Sequence, residues 1–152
     1  MPEGANPPAK PEGYGEQAQD YLRKLIKETG LAIHPPSATR DTFLAHVGGK
    51  YALEKDRFDD YHRRIFEAVW KHDEDIGQQA VLVDIAHEVG LVTNEFKAAL
   101  NAEKYKQQVA DDYRLAAERK IWTIPSYIGP KGEIQVHHFK DLPTPSELEK
   151  IL

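Results

Sequence analysis

The 152 residues contain no cysteine, which excludes from this chain a disulfide, a thiolate nucleophile, a CxxC redox pair and any thiolate metal ligand. Also missing is the run of ~18 apolar residues that a membrane-spanning helix needs. Met1 to Pro8 lack the basic and apolar regions of a signal peptide, so a cytoplasmic protein is expected. Positive charge is not in excess either: 20 Lys and Arg face 25 Asp and Glu, a net charge of −5. That balance removes the basic field by which phosphate backbones and anionic lipids are held, so neither nucleic acid nor a membrane is expected as a partner. What remains, with 40% hydrophobic residues, is enough chain for one ordinary domain.

Pro2, Pro7, Pro8, Pro11, Gly4 and Gly13 make residues 1–13 unsuitable for helix or sheet, and they read as an extended arm. From there to residue 120 the pattern is helical. Ala18, Tyr21, Leu22, Leu25 and Ile26 recur at three and four up to a stop at Gly30. Asp41 is placed to cap a helix carrying Phe43, Leu44, Val47 and Tyr51. Asp56 opens a segment whose broad apolar face, including Phe58, Tyr61, Ile65, Phe66 and Trp70, opposes Arg63, Arg64 and Lys71. Asp75 and Gln78 have capping-box spacing ahead of Val81, Leu82, Ile85 and Ala86. Thr93 is placed to cap a short helix through Phe96 and Leu100, and Tyr105, Val109 and Ala116 mark a longer one to Lys120.

After Lys120 the period changes. Residues 121–128 and 133–139, rich in β-branched and aromatic side chains around Gly129-Pro130-Lys131-Gly132, predict a β-hairpin. Thr144-Pro145-Ser146-Glu147 supplies an N-cap, a proline at the first helical position and a box glutamate for a terminal helix. The fold class expected is α+β and mainly helical, divided into the arm (1–13), a helical region (14–120) and a closing β-β-α element (121–152). Pro125 cannot donate to a ladder, so it belongs at a strand entrance or bulge, where a cis bond is a common reason for its presence.

Thr123-Ile124-Pro125-Ser126-Tyr127-Ile128, followed by a glycine turn, a second strand and a capped helix, resembles the cis-proline half of a thioredoxin fold. Phe66-x-Ala68-x-Trp70, Asp75-Ile76, Val81-Leu82-x-x-Ile85-Ala86, Gly90-Leu91, Phe96, Leu100 and Tyr105 are similar to the helical insertion of DsbA-like thioredoxin-family proteins. That group includes 2-hydroxychromene-2-carboxylate isomerase and kappa-class glutathione transferase relatives. The resemblance covers roughly residues 11 to 152 and implies a partial thioredoxin-like fold, a helical insertion followed by the hairpin and terminal helix. Family members begin with a strand, an active-site loop bearing CxxC, or serine in the isomerase branch, then a helix and another strand. Here the chain starts where that unit would have finished. The resemblance therefore implies disulfide oxidoreductase chemistry for a full-length relative, and it carries over to this chain one functional pair, Ile124 and Pro125, as a substrate-binding edge.

The remaining polar clusters read as ordinary structure. Asp84 and His87 share a helix face without a third ligand, and His137 and His138 alternate across a strand. The acids at His72-Asp73-Glu74-Asp75 suit the start of the following helix. Ser126 stands inside the strand with no histidine–aspartate spacing to activate it. Arg63, Arg64 and Lys71 form a solvated face, and Phe66, Trp70, Trp122 and Tyr127 read as core. No catalytic residue, metal or cofactor is expected. Three functions stay open: a DsbA-like domain without redox activity of its own, a helical binding or adaptor module, and an isomerase-like protein that recruits glutathione. The unpaired edge of the proline strand calls for a partner, either a second copy or a chain carrying the missing thioredoxin unit.

Overall fold

The computed structural model describes residues 9–152, and the expected arm falls largely outside them, at residues 1–8. The described residues form seven α-helices and one two-stranded antiparallel sheet, a mainly helical α+β chain. They divide into two compact units. One is Gly30–Asp112; the other combines residues 9–29 with Tyr113–Leu152.

The helical unit holds α2 (Phe43–Glu54), α3 (Phe58–His72), α4 (Gln79–Glu88), α5 (Thr93–Asn101) and the first part of α6 (Glu103–Glu118). Its core is continuous, with Val47, Tyr61, Leu82, Ile85, Phe96, Leu100 and Val109 buried together. The Tyr61 hydroxyl reaches this interior and donates to the Ala45 carbonyl at 3.2 Å; burial raises its pKa well above the usual tyrosine range. Gly48 lies against both Tyr61 and Phe96, so α2 crosses these rings at backbone distance.

Several helix starts differ from the sequence reading. Asp56 does not cap α3: it takes a left-handed φ of 55° between α2 and α3, and Arg57 is the N-cap. Asp75 closes a turn instead of a capping box, accepting from the Gly77 amide at 3.0 Å and from the Gln78 side chain at 3.1 Å, and α4 starts after Gln78. Asp41 accepts from the Phe43 amide at 2.9 Å, one residue ahead of the N-cap Thr42. For Asp41 and Asp75 the short carboxylate satisfies a local amide in a turn, which competes with the capping geometry its spacing suggests, and Thr93 is the first residue of α5, whose N-cap is Val92.

Charged groups bind the helices at their surfaces. Lys55 and the Tyr51 hydroxyl both donate to Glu95 Oε2, at 3.1 and 2.9 Å, and together they hold the Glu95 carboxyl below its usual 4.5. Lys104 does the same to Glu54. A carboxyl depressed in the folded state stabilises above its unfolded value, and that stability is lost as pH falls through the window below it. The thermal midpoint should therefore drop between about pH 5 and about pH 3, and Glu95→Gln should drop less over the same interval. Circular dichroism melts at stepped pH check this; equal slopes for the two proteins would remove Glu95 from the account.

In the other unit, α1 (Tyr14–Thr29) ends at Gly30 with φ 68°. Tyr14 and Tyr21 bring their rings to 5.6 and 5.0 Å from Phe139, and Lys10 stands 4.7 Å over Tyr14. The hairpin is β1 (Ser126–Gly129) and β2 (Gly132–Gln135), shorter than the spans expected at 121–128 and 133–139. Pairing runs from Gly129 opposite Gly132 to Ser126 opposite Gln135. His137 and His138 lie beyond the strand, and His138 instead caps a 3-10 turn, Phe139–Asp141, by accepting from the Lys140 amide. The hairpin turn packs on the end of α7 (Pro145–Ile151): Lys131 donates to the Ile151 carbonyl at 3.1 Å, and a Cβ at Gly129 would run into that carbonyl. The α7 capping box has the expected form, with Thr144 and Glu147 each accepting from the other's amide and Pro145 at the first position.

Candidate functional site

Two places carry functional geometry, one in each unit. The first is the entrance to β1. The Ile124–Pro125 peptide bond is cis. Pro125 directly precedes the strand, where its missing amide is no loss, and its carbonyl accepts from the Val136 amide at 3.1 Å. Ile124 projects its side chain into solvent, 89% exposed. Just before it, Thr123 is buried with its hydroxyl unpartnered, while its carbonyl accepts from Ser126 Oγ at 2.6 Å. That bond commits the Ser126 proton to backbone, so the serine is not primed as a nucleophile.

The hydrogen-bond pattern fixes which way the β1 amides point. A two-residue turn closed by Gly129 and Gly132, together with the Pro125–Val136 bond, makes Tyr127 and Ile134 a hydrogen-bonded pair. The amides of Ser126 and Ile128 then face away from β2. Among the described residues no strand pairs with that side of β1.

The second place was not singled out by sequence. A cavity of about 580 Å³ opens between α2 and α3. Phe58, His62, Phe66 and Trp70 follow each other at four-residue spacing along α3 and line it, with His62 stacked on Phe58 at 5.3 Å and tilted 4.8 Å from Phe66. From α2 come His46, Gly49, Lys50 and Leu53. The Lys50 ammonium meets the Asp112 carboxylate at 2.6 Å at this edge. Desolvation by the surrounding walls lowers the His46 pKa from 6.5, against the opposing pull of Asp112. Phe66, read from sequence as core, is 53% exposed because nothing in this unit closes over the end of the row. The i, i+4, i+8 recurrence of rings was the available signal, and it is equally the signal of a buried face.

The other candidates stay apart. Asp84 and His87 are both exposed on α4, and no three metal-ligating side chains converge among the described residues. Arg64 is engaged by Glu88 at 2.5 Å and Glu74 at 3.1 Å, and Lys71 by Glu67 at 2.7 Å, so two of the three cations read on that face are paired with carboxylates. Asp73 takes a left-handed φ of 52° at the end of α3, accepts from the Ser37 amide and pairs with Arg40.

The order of these elements, a helical unit between α1 and a closing β-β-α element with a proline at the strand entrance, agrees with the profile of the DSBA-like thioredoxin domain, which matches residues 1–144. The chain belongs to the DSBA-like thioredoxin domain family. Two solved structures share the fold of this DSBA-like domain. One is 2-hydroxychromene-2-carboxylate isomerase, with a TM-score of 0.67 and 16% identity over 84% of this chain and 64% of that one. The other is a candidate protein disulfide isomerase from Nitrosomonas europaea, with a TM-score of 0.66 and 19% identity over 97% of this chain and 76% of that one. The uncharacterised protein YwbO of Bacillus subtilis strain 168 is 29% identical over 113 residues, 72% of this chain and 56% of YwbO. The DSBA-like chain thus spans little more than half the length of that curated relative. Among its described residues no helix is long and apolar enough to cross a membrane.

Proposed function

We propose that this DSBA-like chain holds an extended polypeptide along the outer edge of β1, beside Ile124 and Pro125, and performs no thiol–disulfide exchange by itself. The observation that carries this reading is chemical: the family's exchange reaction passes through a mixed disulfide, and none of the 152 residues is a cysteine. The edge supports the binding half. Ser126 and Ile128 offer outward amides, and Ile128, 48% exposed, offers apolar surface next to them. Strand addition supplies backbone hydrogen bonds to such an edge without any free side-chain charge. A second copy of the chain is the first occupant expected, by pairing β1 with β1 across a two-fold axis, and a chain carrying a thioredoxin unit is the next.

The purified protein should neither speed insulin reduction by dithiothreitol nor oxidise a dithiol peptide above the buffer rate. Light scattering at micromolar concentration should report a dimer. Ile128→Pro removes an outward amide while leaving the β1–β2 bonds in place, and it should return the protein to a monomer. Turnover above buffer ends the non-redox reading; a monomeric wild type that binds no extended peptide ends the edge reading.

A further inference from the structure

We propose that the cavity between α2 and α3 binds a small uncharged molecule with a flat aromatic body and one hydrogen-bonding oxygen. Its volume of about 580 Å³ lies within the span of small-molecule sites, roughly 300–1,000 Å³. The α3 wall selects the shape. Phe58, His62, Phe66 and Trp70 place four rings in one row, His62 being stacked on Phe58 and in contact with Phe66, so this wall is aromatic along its length. The opposite wall is backbone at Gly49, which has no side chain and lies close to the rings: a Cβ there would stand 3.5 Å from Phe58 and 3.9 Å from Tyr61, in van der Waals contact.

Charge selects the head group. The lining holds one cation and one anion, Lys50 and Asp112, and they bind each other at 2.6 Å. A carboxylate ligand has to displace Asp112 from Lys50, and an ammonium has to displace Lys50 from Asp112, each giving up hydration of its own to do so. A hydroxyl or carbonyl needs neither. Thr42, His46, Tyr61, His62 and Trp70 carry the other polar atoms of the lining, and desolvation by the walls around His46 lowers its pKa, which favours the neutral imidazole. The mouth is apolar as well, since Phe66 and Leu53 are 53% and 57% exposed at its rim.

A matched pair of probes with one ring system tests both halves of the proposal: 4-phenylphenol and biphenyl-4-carboxylate, titrated calorimetrically into the full chain above pH 7. The phenol should bind one to one and at least about tenfold more tightly than the carboxylate. Trp70 and Trp122 are the two tryptophans, so in a Trp122→Phe background the emission reports from the α3 wall alone, and it should change with the same midpoint as the heat. Phe66→Asp, a substitution at an exposed rim position, should abolish binding, whereas Leu142→Ser in the other unit should leave it unchanged. Gly49→Leu fills the cavity floor and serves as a second blocking variant, with helicity of each variant followed by circular dichroism. Absence of heat and emission change at millimolar phenol overturns the proposal. So does equal or tighter binding of the carboxylate, or binding that survives both blocking variants. A wild-type dimer that Phe66→Asp dissociates would show a second copy covering this face, and would overturn it too.

Discussion

Phe96→Ala is expected to lower the stability of the helical unit by about 3–5 kcal/mol, the range for truncating a fully buried phenylalanine. Phe96 is 0% exposed on α5, its ring edge-on to Tyr51 at 5.8 Å and tilted against Tyr61 at 5.8 Å. It joins α5 to α2 and α3 at once, so its removal opens a void that rigid helices cannot close from one side. Urea unfolding followed by far-ultraviolet circular dichroism gives the number. The chain has two compact units, and where two transitions resolve, the loss should fall on one and leave the other in place. Phe96→Leu keeps much of the volume and should cost clearly less. A loss below about 1 kcal/mol for the alanine variant would mean the core repacks around the gap.

Helices were legible in this sequence because their apolar period and their stops agree. Gly30 and Gly90 take φ of 68° and 78° at the ends where the pattern lapses, and Thr144 with Glu147 forms the box its spacing predicts. What misled was the acidic side chain in a turn. Asp56 and Asp75 have the composition of N-caps, yet each is held in the preceding turn, one by a left-handed backbone and one by two local hydrogen bonds. Strand length was overread as well. His137 and His138 continue the alternating pattern, but β2 ends at Gln135 opposite the start of β1 at Ser126, with Pro125 just ahead of it, and His138 goes on to cap a 3-10 turn. The cavity was not legible at all. Its ring row is indistinguishable from a core row until the neighbours are known, and Lys50 meets Asp112 through tertiary packing that no local spacing records.

The same packing makes Gly48 the least replaceable small residue of the helical unit. A Cβ there would overlap the Tyr61 hydroxyl, stand 2.8 Å from Phe96 Cζ and 3.0 Å from Tyr61 Cζ. Helix propensity favours alanine by about 1 kcal/mol, but three contacts inside ordinary van der Waals distance force the rings or the α2 backbone to move, and overpacking of this kind costs about 1–3 kcal/mol or more. The steric effect should win, with Gly48→Ala destabilising the unit by about 2 kcal/mol net. Tyr61→Phe separates the causes. Alone, it removes the hydrogen bond to the Ala45 carbonyl and should cost about 1 kcal/mol. Combined with Gly48→Ala, it also removes the atom that the new methyl meets first, so the pair should cost less than the sum of the two. Coupling of at least about 0.5 kcal/mol in that direction, from urea unfolding of all four proteins, is the expected result. Strict additivity would show that Phe96 and the helix backbone, not the tyrosine hydroxyl, set the limit at this crossing.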